Sequence, residues 1–162
     1  MFETISIIGC GLIGSSILRA IKNKNLAKKI KIFDNSKEVT AYLKKENICT
    51  NISSDIHQCV TDSDLVIIAT PLSSYKEIIV SIKDSLKKNV ILTDTGSVKK
   101  EVMKIIHNIN LKDVHWISSH PIAGTEESGP RAGQAEMFKN RWCIISPSKN
   151  CAEQPVRSLK AM

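Results

Sequence analysis

The sequence is poor in aromatic residues, with three Phe, two Trp and two Tyr among 162 positions. Its core must therefore be aliphatic, and it has few rings to stack on nucleobases. Arginine is scarce too: Arg19, Arg131, Arg141 and Arg157 are the whole complement. The formal charge of +7 comes mostly from lysines standing singly or in pairs such as Lys28-Lys29 and Lys44-Lys45. That pattern is a solvated basic surface, so no nucleic-acid partner is expected. A surface of this kind helps draw in a small anionic substrate. No apolar stretch approaches the roughly 20 residues that cross a bilayer, and no membrane partner is expected. No secretory leader is expected either. Glu3 stands where basic charge belongs, and the apolar run at 5–8 is broken by Ser6 and stopped by Gly9. The expected location is cytoplasmic. There is no C-x-x-C pair. The five cysteines, at 10, 49, 59, 143 and 151, are odd in number and scattered, which reads as reduced thiols. His115 and His120, five apart, match no ligand spacing, and no metal is expected.

What is present is alternation. Apolar runs at 5–8, 29–33, 65–69, 90–93, 115–118 and 142–145 read as strands. Between them, Leu12, Ile13, Ile17, Ala20 and Ile21 recur at helical spacing. Further helices are expected at 37–46, at 75–86 and around Val98, Val102, Ile105 and Ile106. This order predicts an α/β fold: a Rossmann-type, doubly wound, mostly parallel sheet covered on both faces. Residues 1–150 form the expected dinucleotide-binding domain. From Ser146 the character changes. A short helix at 156–162 is expected, with little to pack against, so 151–162 reads as a truncated segment leading to a missing domain.

Gly9-Cys10-Gly11-Leu12-Ile13-Gly14 fits G-x-G-x-x-G, directly after a strand and opening a helix. Gly9 suits the tight turn, Gly11 leaves room for a pyrophosphate, and Gly14 permits close helix–strand packing. The helix N-terminus, with Leu12 and Ile13 in its first turn, offers free N–H donors to phosphates. Asp34 lies 20 residues after Gly14, at the end of the second strand. A carboxylate there accepts hydrogen bonds from ribose hydroxyls and repels a 2′-phosphate, which favours NAD over NADP. Thr70 and Pro71, ending the third strand, join the expected cofactor contacts. The plainer alternative is a tight turn plus a helix cap at Asp34.

Two later segments sit beyond strand ends, where open α/β sheets bind ligands. Asp94-Thr95-Gly96-Ser97-Val98-Lys99 follows one strand, and Ser118-Ser119-His120-Pro121-Ile122-Ala123-Gly124-Thr125-Glu126 follows the next. His120 is suited to accept a proton near neutral pH, as a dehydrogenase acting on an alcohol requires. A loop histidine satisfied by backbone is the competing reading. Ser97 is equally a natural N-cap for the helix after it, and Lys99 reads as a solvated residue.

Together, Gly-Cys-Gly-Leu-Ile-Gly-Ser-Ser, Ala-Thr-Pro, Asp-Thr-Gly-Ser-Val-Lys and Ser-His-Pro-Ile-Ala-Gly-Thr-Glu-Glu-Ser-Gly-Pro resemble the prephenate and arogenate dehydrogenases of tyrosine biosynthesis, from Ile5 to about Pro147. The resemblance implies oxidative decarboxylation of a cyclohexadienol with NAD. In it, His120 matches the catalytic histidine that assists ring-hydroxyl deprotonation. Ser97 matches a serine supporting that hydroxyl and the nicotinamide. Glu126 matches an acidic residue of the substrate pocket. Ser15 departs from the family's frequent glycine. The resemblance further implies a helical C-terminal domain that forms a homodimer and supplies a substrate-binding arginine, beyond residue 162. Two alternatives stand beside it: an NAD-binding domain without turnover, and another small hydroxyacid dehydrogenase, against which the His-Pro-Ile-Ala-Gly-Thr-Glu segment argues.

Overall fold

Strand β1 (Phe2–Ile8) opens the chain and runs straight into the glycine turn, and helix α1 (Leu12–Asn23) returns along the sheet. The computed structural model describes residues 1–109, 111–149 and 151–162. The chain then continues through β2 (Ala27–Phe33), α2 (Lys37–Lys45), α3 (Ile56–Val60), β3 (Leu65–Ile68), α4 (Tyr75–Ile82), β4 (Val90–Asp94), α5 (Lys99–Ile109), β5 (Val114–Pro121), β6 (Cys143–Pro147) and α6 (Glu153–Lys160). The strands form one sheet in the order β2-β1-β3-β4-β5-β6. The first five are parallel, and β6 pairs antiparallel with β5. This is the doubly wound, mostly parallel sheet that the alternation predicts.

Both faces are covered because the strands are apolar on both sides. In β3, Leu65 and Ile67 face one core and Val66 and Ile68 the other, as period-two alternation requires. The first core joins Ile5, Ile7, Ile32, Ile91 and Ile117 to Ile17, Leu18 and Ile21 of α1 and Leu43 of α2. The second joins Ile8, Leu92 and Trp116 to Val60, Tyr75, Ile79, Ile82 and Val102 of α3, α4 and α5. Each fully buried aliphatic side chain contributes roughly 1.5–3 kcal/mol. Ser6 intrudes on the second core but is satisfied. Its hydroxyl donates to the Cys59 carbonyl at 2.6 Å and lies 2.7 Å from the Ser63 hydroxyl.

Several boundaries differ from the sequence expectation. Strand β5 extends through His120 to Pro121 because β6 pairs along it, Ser119 with Ile145 and His120 with Ile144. Helix α3 was not expected. Five residues are too few for a periodic signature, and its start is set by Asp55, whose carboxylate accepts from the His57 amide at 2.8 Å. The fourth helix stops at Ile82 and passes into a 3-10 turn, Lys83–Ser85. Helix α6 begins at Glu153, and it does have something to pack against: Leu159 is buried, and Val156 and Met162 lie against the first core. Among the described residues no helix is long and apolar enough to cross a membrane.

Candidate functional site

The glycine turn is held by contacts that only glycine tolerates. Gly9 has φ of +87°, and a Cβ there would lie 2.8 Å from the Ala69 carbonyl oxygen and 2.7 Å from Thr70 Cγ2. A Cβ on Gly14 would lie 1.9 Å from the Gly9 carbonyl oxygen. Gly11 is different: a Cβ there meets nothing within 4 Å. Packing within the chain therefore gives no reason for glycine at 11, and the open space beside it fits a ligand approaching the backbone. Gly11 is also the N-cap of α1. It provides no side-chain acceptor, and the first turn holds no acidic residue. The N–H groups there keep their donors and the helix its positive end, as phosphate binding needs. Leu12 and Ile13 are half-buried at this end, and Ile13 also packs on the first core. Residues present thus fit a dinucleotide.

Asp34 follows β2 and ties this turn together. Its carboxylate accepts from the Cys10 amide at 2.7 Å and from the Ser36 amide at 2.9 Å. Helix α2 is capped by Ser36, whose hydroxyl accepts from the Val39 amide at 3.3 Å, so the cap role falls to Ser36 rather than Asp34. The Cys10 thiol is pushed well above the ordinary range by burial, with the Asp34 carboxylate adding to it. It is a packing residue and no nucleophile. Burial likewise raises the Cys59 thiol to about 11, and all five cysteines are free. Thr70 and Pro71 lie just past β3, with Thr70 against the glycine turn.

The second constellation is organised by a residue the sequence reading passed over. Asp94, the last residue of β4, is 0% exposed. One carboxylate oxygen accepts from the Ser118 hydroxyl at 2.7 Å and the Ser119 amide at 3.1 Å. The other accepts from the Gly96 amide at 3.0 Å and the Lys99 ammonium at 2.7 Å. The Asp94 carbonyl accepts from the Ser119 hydroxyl at 2.6 Å. Lys99 also donates to the Ser119 carbonyl at 2.5 Å. Lys99 is thus a partner of this buried acid, which corrects its reading as a solvated residue. The available signal was Ser118-Ser119 at the end of an apolar strand, since buried hydroxyls need partners.

Ser97 is exposed in the turn after β4. Helix α5 starts two residues later, at Lys99, and the Val98 carbonyl accepts its first bond, from the Val102 amide at 3.3 Å. Among the described residues the Ser97 hydroxyl makes no hydrogen bond, so its expected capping role is not what the structure shows. His120 is half-buried near the end of β5 and makes no side-chain hydrogen bond among the described residues. Glu126 is exposed in the loop beyond β5 and forms no ion pair among them. Beneath the Asp94–Gly96 turn lies the Tyr75 hydroxyl, buried and unpartnered among the described residues.

The loop that leaves β5 crosses to α1. Arg19 donates to the Pro130 carbonyl at 3.0 Å, and the Gln134 amide donates to the Ser16 hydroxyl at 2.9 Å. The Arg131 guanidinium stacks over Tyr42, 5.2 Å from the ring centre. A cleft of about 850 Å³ opens beside this loop, lined in part by Thr93, Thr95, Ser119 and Pro121. His120 does not line it, because alternation along β5 places it on the opposite face, with Trp116 and Ser118.

A family model for the prephenate dehydrogenase nucleotide-binding domain matches residues 17–162. It begins after the glycine turn, whose assignment therefore rests on its own geometry. The chain is 37% identical over 156 residues to the cyclohexadienyl dehydrogenase of Zymomonas mobilis, covering 96% of this chain and 53% of that protein. It is 30% identical over 161 residues to the prephenate dehydrogenase of Bacillus subtilis, covering 99% of this chain and 43% of that one. The chain spans about half the length of these curated relatives. The solved prephenate dehydrogenase of Aquifex aeolicus, in complex with hydroxyphenyl propionate and NAD+, superposes with a TM-score of 0.87 at 24% identity, over 99% of this chain and 56% of that one. That likeness speaks for the fold alone. The family model covers the chain from the middle of α1 onward, and the chain belongs to the prephenate dehydrogenase family.

Proposed function

We propose that this domain serves an NAD-dependent oxidative decarboxylation of prephenate, giving 4-hydroxyphenylpyruvate, or of arogenate, giving tyrosine. The observation that carries the proposal is the shared carboxyl edge of the parallel strands. The glycine turn follows β1, the Thr95–Ser97 turn follows β4, and His120 is the next-to-last residue of β5. Ligands of open α/β sheets bind along that edge.

The pyrophosphate of the cofactor would be held by the α1 N-terminus over Gly11, and its adenosine ribose by Asp34. The nicotinamide, when bound, supplies the hydride acceptor. His120 takes the proton from the ring hydroxyl as the carbinol carbon is oxidised. Ser97 orients that hydroxyl, and Glu126 serves as an acidic residue of the substrate pocket. Loss of the ring carboxylate as carbon dioxide leaves its electron pair to aromatise the ring, and the phenolate oxygen so formed takes the proton back from His120. The chain's task is orientation and proton handling.

The test is a steady-state assay of the protein expressed with its complete reading frame, supplied with NAD and either substrate. Substrate-dependent NADH and carbon dioxide in equal amounts are expected. His120→Asn should lower turnover by roughly 10²–10⁴-fold and leave NAD affinity intact. Near-normal turnover in that variant would rule out the role of His120.

A further inference from the structure

Asp94 is the buried charge for which the scheme above has no use. It is fully buried and holds Lys99, whose side chain is 23% exposed, in an ion pair at 2.7 Å. An ionised carboxylate is kept in such a place only when its oxygens are fully engaged. Here they are, and the partners are informative. The Gly96 amide lies one residue before Ser97, and the Ser119 amide and Ser118 hydroxyl lie one and two residues before His120. Thr93 reinforces the same junction, its hydroxyl donating to the Ile117 carbonyl at 2.6 Å and lying 3.1 Å from the Ser119 hydroxyl. Two segments 21 or more residues apart in sequence are thereby bolted to one carboxylate. Neither Ser97 nor His120 has a side-chain hydrogen bond of its own among the described residues, so their places are set through the backbone that carries them.

We infer that Asp94 is a positioning residue: by bonding to Gly96, Ser118, Ser119 and Lys99, it fixes the turn bearing Ser97 and the strand end bearing His120 relative to one another. It touches neither cofactor nor substrate. The inference rests on the proposed roles of Ser97 and His120. Its consequence is that Asp94 acts on the chemical step through Ser97 and His120 and leaves the phosphate and ribose contacts untouched, since none of its bonds reaches the glycine turn or Asp34.

A double-mutant cycle with Asp94→Asn and His120→Asn, in the protein with its complete reading frame, tests this. Asparagine keeps the shape but loses the charge and one acceptor. Asp94→Asn alone should lower kcat by about 10²-fold, as a displacement near 1 Å does, with the NAD dissociation constant unchanged. In the His120→Asn background the same change should cost clearly less, because only the share acting through Ser97 is left. A merely structural role would cost the same factor in both backgrounds, and that multiplicative result overturns the inference while leaving His120 as the base. Near-normal turnover in His120→Asn alone overturns both. Should Asp94→Asn not fold, Ser118→Ala removes a single neutral bond to the same oxygen and enters the same cycle, with a smaller first step. The chain of residues 1–162 gives a second readout. In amide NMR spectra, Ser118→Ala should move the resonances of Gly96, Ser97, Ser119 and His120 and leave Gly9, Gly11 and Gly14 in place. Unmoved Gly96 and Ser97 signals would break the proposed link.

Discussion

The Cys10 amide donates to the Asp34 carboxylate at 2.7 Å, joining the glycine turn after β1 to the end of β2. Asp34 therefore shapes the turn as well as presenting charge to whatever binds there. Asp34→Ala should cost about 1–3 kcal/mol of stability through the orphaned Cys10 and Ser36 amides. It should also weaken NAD binding about tenfold or more, and NADP binding less, since the carboxylate opposes a 2′-phosphate. Thermal unfolding and cofactor titration of the same variant check both effects. Equal losses for the two cofactors would leave Asp34 a purely structural acid.

Gly11 and Gly14 separate binding from folding. Gly11→Ala adds a methyl into open space, so the melting temperature should change little while dinucleotide affinity falls. Gly14→Ala drives a methyl to within 1.9 Å of the Gly9 carbonyl oxygen, so the fold itself should suffer. Melting curves and NAD titrations on the pair decide it. An unimpaired affinity in Gly11→Ala would remove the phosphate from this turn.

Acid sensitivity is expected from Asp64 at the start of β3. Burial raises its pKa, but the Lys87 ammonium at 2.6 Å and the amides of Thr4 and Glu3 outweigh that, and the carboxyl ends below its usual range. A depressed carboxyl stabilises the fold above its unfolded pKa, and that contribution is lost as pH falls through the folded value. Lys87→Met should lower the unfolding midpoint at neutral pH. The gap to the unsubstituted chain should close as pH drops below the carboxylate range. Midpoints measured across that window check the sign, and a gap that widens toward acid would contradict it.

Residues 1–162 alone should bind NAD but oxidise prephenate poorly. The substrate is a dicarboxylate, and burying it needs cationic partners. Lys99, beside the Ser97 turn, is already engaged by Asp94, and Arg131 lies over the Tyr42 ring. The edge near His120 also leaves Ile122, Ile144 and Trp142 exposed, the last at 83%, so water reaches this side freely and weakens electrostatic stabilisation. Assays of this chain beside one extended by the helical part that the family resemblance implies should differ widely in kcat/KM. Comparable values would show a complete site within 1–162.

The parts of the fold legible in the sequence were those written in local pattern. The glycine turn and the apolar strands carry their meaning within about ten residues, and Asp34 is reached through a fixed motif spacing, 20 residues after Gly14. What escaped depends on partners far along the chain. The length of β5 is set by β6, more than 20 residues later. The role of Asp94 is set by Ser118 and Ser119, 24 and 25 residues on, and as a lone Asp before Thr-Gly-Ser it looks like any turn residue. Ser97 misled for the opposite reason. Its local capping chemistry is sound, but the turn pinned by Asp94 places the start of the helix one residue further on.

The central claim is that the glycine turn and Asp34 make this chain an NAD site. Calorimetric titration of residues 1–162 with NAD and NADP under identical conditions measures it most directly. One molecule of NAD per chain is expected, bound more tightly than NADP, with the preference lost in Asp34→Ala. Tighter binding of NADP, or no binding of either, would contradict it.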